Sequence, residues 1–124
     1  MTRILVVDDA PEISILMEDI LEPLGYEVNA APSANSAGEK IEKNRPDLIL
    51  LDVMMPGKDG YQFCREMKAS AKFKDIPVIL VTVKRNQEDV DRGFKAGASD
   101  YITKPFDPGD LVARIKKILD KTAK

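Results

Sequence analysis

Histidine and tryptophan are absent from this chain, cysteine occurs once, and aromatic residues make up only 6% of it. Without histidine, the commonest general base near neutral pH and the usual zinc ligand are both missing. The lone Cys64 excludes an internal disulfide and fits a reducing, cytoplasmic setting. Phe63 and Met67 put it on an apolar helical face, so it reads as a small core residue and not as a reactive thiol. No stretch approaches the ~20 apolar residues of a membrane span. The N-terminus passes almost at once into an apolar run, so no signal peptide is expected. Bases and acids nearly balance, 19 against 21, and are interspersed, which leaves no nucleic-acid footprint. Lys116, Lys117, Lys121 and Lys124 read as the solvated last turns of a helix, where cations favour the dipole. Any chemistry therefore falls to oxygen ligands and lysine.

What the chain does have is alternation. Its 124 residues suit one domain over residues 1–124, with a real core and no room for a second. Ile4-Leu5-Val6-Val7 is a short apolar run of the kind that forms a fully buried strand. Pro11 then sits at a first helical position, and Ile13, Leu16, Met17, Ile20, Leu21 and Leu24 follow at helical spacing until Gly25. Glu27 to Ala31 predicts a second strand, and Pro32-Ser33 opens a helix with only Ala34, Ala37 and Ile41 on its apolar side. That helix is expected to be loosely held. Asp47 to Leu51 is the third strand, and a helix starts at Asp59 or Gly60 and runs through Tyr61, Cys64 and Met67. Pro77 to Val81 is the fourth strand, ending at Thr82; Asn86 and Asp89 form a capping-box pattern. The helix they open has only Val90 and Phe94 as large apolar anchors before Gly97. Ser99 to Thr103 is a short fifth strand, and after Asp107-Pro108 a stripe of Leu111, Val112, Ile115, Ile118 and Leu119 marks the last helix. This order predicts a single doubly wound α/β domain, a parallel sheet with helices on both faces.

On that template Asp8, Asp9, Asp52, Thr82 and Lys104 all fall just past the carboxyl ends of strands, where open α/β sheets bind ligands. Carboxylates gathered there repel: at 4 Å each pair costs ~1 kcal/mol in bulk water and ~4 kcal/mol at an effective dielectric of 20. A divalent cation would offset that repulsion. Taken singly, each residue has a plainer reading. Asp8-Asp9 before Pro11 would cap a helix, Thr82 would be a strand-end hydroxyl, Lys104 a solvated lysine and Tyr101 part of the core. Capping does not explain Asp52, which precedes Val53-Met54-Met55-Pro56 and not a helix.

The pieces Val7-Asp8-Asp9, Leu51 to Gly60, Val81-Thr82 and Tyr101-Ile102-Thr103-Lys104-Pro105-Phe106 together resemble the receiver domain of bacterial response regulators over essentially the whole chain. The resemblance implies the CheY-like fold with sheet order 2-1-3-4-5. It also implies that Asp52 accepts a phosphoryl group. Asp9 and Asp52 would bind Mg²⁺ (or Mn²⁺) directly, with the Met54 backbone carbonyl as a third protein ligand and Asp8 acting through bound water. Lys104 would pair with the phosphoryl oxygens, and its bond to Pro105 is typically cis in this family. Thr82 and Tyr101 would be the switch pair, changing the surface of the fourth helix, fifth strand and last helix. The implied partners are a sensor histidine kinase or phosphotransfer protein and a downstream output domain or protein, with no direct contact to nucleic acid or membrane. Such a protein catalyses its own phosphorylation and slow dephosphorylation and is otherwise a signalling module. Asp100 and Arg114 are candidates for charged contacts in a phosphorylation-dependent dimer, beside the plainer reading of a solvated face. Val83 departs from the small residue usual after the threonine, and its branched side chain is expected to crowd the site. Met54 and Lys84 occupy the positions that influence how fast water removes the phosphate.

Two rival enzymatic or cofactor readings lack a needed group. A dehalogenase-like phosphatase requires an acid two residues past the nucleophile, and Met54 stands there. A flavodoxin-like module requires a hydroxyl- and glycine-rich phosphate loop, where this chain has Asp8-Asp9-Ala10-Pro11-Glu12. A degenerate receiver used only for protein contact would have lost part of the acidic constellation, which is intact here.

Overall fold

The computed structural model describes residues 1–122; Lys124 lies outside them. In chain order the elements are β1 (Arg3–Val7), α1 (Pro11–Leu21), β2 (Glu27–Ala31), α2 (Ala34–Lys43) and β3 (Leu48–Leu51). They continue as α3 (Gly60–Ala69), β4 (Val78–Thr82), α4 (Gln87–Lys95), β5 (Asp100–Thr103) and α5 (Pro108–Thr122). All strand pairs are parallel, in the order β2-β1-β3-β4-β5.

The sequence pattern explains this placement. β3 and β4 are interior strands covered on both faces, and every residue in them is buried. Their runs are therefore continuously apolar and do not alternate. β2 is an edge strand with Asn29 turned to solvent, which accounts for its weaker apolar signal. Successive strand residues point to opposite faces. Leu5, Val7, Ile49, Leu51 and Leu80 pack toward α2 and α3, meeting Ile41, Cys64 and Met67. Ile4, Val6, Leu50 and Ile79 face the other way, onto Met17 and Leu21 of α1 and Leu111 and Ile115 of α5.

Local stops differ from expectation in several places. α1 ends at Leu21, and Glu22–Leu24 tighten into one 3-10 turn before Gly25 at φ 96°. The apolar stripe centres on Met17 and Leu21, so Leu16, one 100° step away, and Leu24 beyond the helix are exposed. α2 is held closely after all: Ala34, Ala37 and Ile41 are all buried, the two alanines letting the helix approach the sheet. Its N-terminus is closed by Ser33 Oγ, which accepts from the Ser36 amide at 3.1 Å. Asp59 closes α3 in the same manner, accepting from the Gln62 amide at 2.9 Å. At α4, the Asp89 carboxylate accepts from the Asn86 amide, as the capping-box pattern requires. Phe94 is not an anchor of that helix, being 47% exposed; Gly93 occupies the position against the sheet. A Cβ there would stand 2.8 Å from both Leu80 and Tyr101 side-chain atoms, so only glycine permits this approach.

Candidate functional site

The sheet register assembles the site. Val7 of β1 lies beside Leu51 of β3, and the Asp52 amide donates to the Val7 carbonyl at 2.9 Å. The Asp8 amide donates to Ala31 at the end of β2. The carboxyl ends of the two strands are thereby level, which brings Asp8, Asp9 and Asp52 together. Their ligand oxygens lie within 4.8 Å of one another. On the other side Thr82 of β4 aligns with Thr103 of β5, and the Lys104 amide donates to the Thr82 carbonyl at 2.8 Å. That bond carries Lys104 to the same rim, and its peptide bond to Pro105 is cis. Beneath Asp52, Gly60 lets the start of α3 press on the end of β3; a Cβ there would come within 2.3 Å of the Asp52 carbonyl oxygen.

Inside this rim the charges divide unequally. Lys104 Nζ is 2.7 Å from Asp8 Oδ2 and 3.5 Å from Asp52 Oδ2. Asp8 and Asp52 are buried, whereas Asp9 is exposed. Asp8 Oδ1 accepts from the Ala10 amide at 2.9 Å, and Asp52 Oδ1 accepts from the Met54 amide at 3.2 Å. Burial pushes the Asp52 carboxyl up from its ordinary value; Lys104 opposes the rise, Asp8 adds to it, and the Met54 amide and Thr82 hydroxyl oppose it.

The donor set suits a hard divalent ion. Magnesium takes oxygen ligands at about 2.1 Å, so opposite ligands of an octahedron stand about 4.2 Å apart. A cluster of carboxylate oxygens, all within 4.8 Å of one another, has the oxygen chemistry such an ion takes and lies close to that span.

Asp8, Asp9, Asp52 and Lys104 meet at the rim, and Thr82 lies at its border beside Asp52. Thr82 is fully buried, and its Oγ1 accepts from the Lys84 amide at 3.3 Å. Tyr101 is buried, with its hydroxyl donating to the Lys84 carbonyl at 2.9 Å. Burial, more than its hydroxyl neighbour Tyr61, drives the Tyr101 phenol well above its ordinary value. Val83 is exposed and borders an apolar hollow with Ile13, Leu16, Phe106 and the site residue Lys104. Met54 carries an exposed side chain. Asp100 and Arg114 pair with one another inside the chain at 2.8 Å, and Arg114 Nε also meets Asp110 at 3.0 Å. The residue the sequence reading missed is Tyr61. It reads as core by its spacing, yet its hydroxyl donates to the Asp89 carbonyl at 3.0 Å and lies 3.4 Å from the Tyr101 hydroxyl.

A family model described as the response regulator receiver domain matches residues 4–116. The chain belongs to that family. It is a receiver module of two-component signalling, a class of switch worked by phosphorylation. It is 44% identical over 117 residues to the phosphate regulon transcriptional regulatory protein PhoB of Escherichia coli, covering 94% of this chain and 51% of that protein. The chain thus spans about half the length of the curated relatives it matches. Among solved structures it is similar to the signal receiver domain of a histidine kinase from Syntrophus aciditrophicus, with TM-score 0.91 and 37% identity, covering 98% of this chain and 92% of that one. The chemotaxis protein CheY4 of Vibrio cholerae gives TM-score 0.88 at 31% identity, covering 94% and 98% respectively. Among the described residues no helix is long and apolar enough to cross a membrane.

Proposed function

We propose that Asp52 is the phosphoryl acceptor of this receiver and that Asp8, Asp9 and Asp52 hold a Mg²⁺ ion, Mn²⁺ serving as a substitute, with the Met54 carbonyl completing the protein ligands. The observation that carries the reading is the convergence of these carboxylates with Lys104 at the level carboxyl ends of β1, β3 and β5. A carboxylate attacks phosphorus only when the charge on both partners is offset. The ion, when bound, supplies that offset by drawing charge from the phosphoryl oxygens. Lys104 supplies the rest, moving from its contact with Asp8 toward the new group as a point charge. Asp52 itself is the nucleophile, held in orientation by the Met54 amide. Self-catalysed phosphorylation and slow dephosphorylation then need no further enzyme.

The donor in this reading is the phosphohistidine of a sensor histidine kinase or phosphotransfer protein in the cytoplasm. Its surface would be met by the apolar hollow of Ile13, Leu16, Val83 and Phe106, which runs up to Lys104. The output surface is α4, β5 and α5, where Val90, Phe94, Tyr101, Phe106 and Arg114 border a hollow of 420 Å³. A phosphoryl group on Asp52 would draw the Thr82 hydroxyl away from the Lys84 amide and leave room for the buried Tyr101 ring, whose hydroxyl holds the Lys84 carbonyl. The domain, residues 1–124, would act on a partner protein or output domain and not on nucleic acid directly. Intact mass after incubation with Mg²⁺ and a small acyl phosphate tests this. One added phosphoryl group is expected in the parent and none in Asp52→Asn; phosphate on the variant overturns the assignment.

A further inference from the structure

The two buried tyrosines form a connection that neither the acidic rim nor the Thr82–Tyr101 pair requires. Tyr61 belongs to α3 and is only 1% exposed. Its hydroxyl reaches the Asp89 carbonyl in the first turn of α4, and its ring carries the Arg92 guanidinium of the same helix at 4.4 Å. The same hydroxyl stands 3.4 Å from Tyr101, whose own proton goes to the Lys84 carbonyl. A phenol has one proton and accepts through its oxygen. Three contacts are thus served by two protons, and that of Tyr61 divides between the Asp89 carbonyl and the Tyr101 oxygen. A hydroxyl that accepts one hydrogen bond donates a stronger one, so Tyr61 reinforces the Tyr101 bond to Lys84. The Tyr101 ring meanwhile lies against Gly93, where there is no side chain to exclude it.

We infer that Tyr61 is a positioning residue of the switch: from α3 it holds the Tyr101 ring in its buried position and ties that position to the first turn of α4. Asp52 and Thr82 then act on the Lys84 amide, and Tyr61 sets how firmly Tyr101 holds the Lys84 carbonyl. The inference rests on the phosphoacceptor reading for its link to signalling, but the tyrosine pair can be tested without it.

Tyr61→Phe keeps the ring, its burial and its contact with Arg92, and removes only the hydroxyl. NMR signals of the Leu80 methyls and the Gly93 amide, which face the Tyr101 ring, report the ring's position. Their parent and Tyr101→Ala positions define the two ends of a scale. In Tyr61→Phe these signals are expected to move along that scale, the ratio of buried to swung-out Tyr101 falling about two- to tenfold, as for loss of one hydrogen bond. Adding Mg²⁺ and beryllofluoride should return them toward the parent position. Leu5 and Ile49 amides, on β1 and β3, should stay in place, since general loosening of the core would move them too. If Leu80 and Gly93 of Tyr61→Phe coincide with the parent, or if Leu5 and Ile49 shift equally, the inference is overturned. If beryllofluoride with Mg²⁺ leaves the acidic-rim amides of the parent unmoved, the phosphoacceptor reading fails instead, while the ring scale still decides the role of Tyr61.

Discussion

The helices on either side of β5 are attached to the molecule in different ways. α5 sets Leu111 and Ile115 fully into the core, with Ile118 buried and Val112 and Leu119 packed at the edge. α4 buries only Gly93 fully, packs Val90 partly against the core, leaves Phe94 exposed, and is further held by its capping box, the Tyr61 hydroxyl and the Arg92–Tyr61 contact. Apolar burial stabilises in proportion to area and has no second arrangement to offer. Hydrogen bonds to a few carbonyls are individually modest and can be exchanged. The difference shows how one surface can have a fixed half and a movable half. Elements that shift in switching come from the less anchored end of a structure.

The contrast is most sharply tested by removing an anchor. Leu111→Ala should destabilise the domain by about 2–5 kcal/mol in urea unfolding, the range for a fully buried leucine. A loss below 1 kcal/mol would mean that α5 is no better held than α4. Gly93→Ala attacks the other helix where it touches the sheet. The added methyl gains helix propensity of about 1 kcal/mol, yet it would meet Leu80 and Tyr101 at 2.8 Å. Overpacking of that kind costs about 1–3 kcal/mol. The net effect should be smaller than for Leu111→Ala and confined to α4: faster amide exchange at residues 88–95 and unchanged exchange in α5. Exchange raised equally in both helices would show that they move as one body.

The fold and the acidic rim were legible because both depend on signals local in sequence. Short apolar runs mark interior strands, and a residue just past each run must lie at the sheet's carboxyl edge, which places Asp8, Asp52 and Lys104 without any knowledge of side-chain contacts. The anchoring of α4 was not legible. Val90 and Phe94 carry the apolar pattern, but the helix turns Gly93 to the sheet because that allows its backbone nearest to Tyr101. Composition cannot reveal which of two adjacent positions faces inward when one of them lacks a side chain. Tyr61 escaped for a related reason: its hydroxyl partners lie 28 and 40 residues away, and only the folded arrangement of α3, α4 and β5 brings them to it. Likewise the first partner of Lys104 is Asp8, 96 residues distant, a pairing that strand-end placement permits but does not select over Asp52.

The rim and the output face can also be set against each other by pH. Burial, only partly offset by Lys104, raises the Asp52 carboxyl in the folded domain above 3.8. The folded state therefore holds this proton more tightly than the unfolded chain does. Stability from this group is greatest when it is protonated and falls as pH climbs from its unfolded value through its folded one. Asp52→Asn cannot ionise, so the metal-free variant should melt above the parent at pH 7, with the gap closing as pH falls toward 4. A gap that is constant over this range would remove the electrostatic strain from the account of the rim. Arg114 and Asp100, paired on the proposed output face, should leave that gap untouched when exchanged for neutral residues.

The smallest expected effect falls on the most conspicuous apolar side chain of the movable half. Phe94 is large, yet it is 47% exposed and borders the hollow between α4 and α5. A fully buried phenylalanine would lose about 3–5 kcal/mol on truncation to alanine. Here much of the ring is already in water, and surface changes away from special features usually stay within about 0.5 kcal/mol. Phe94→Ser should therefore leave the urea midpoint and the autophosphorylation rate of the isolated domain close to those of the parent, because about half of its ring is already in water and it is not part of the acidic rim. Equilibrium unfolding alongside mass-detected phosphorylation checks both at once. A loss above 2 kcal/mol would show that Phe94 anchors α4, and the distinction between the two helices would fail. An unchanged stability with impaired phosphorylation would instead place Phe94 on the path between the output face and Asp52, making the movable half a partner in the chemistry and not merely its readout.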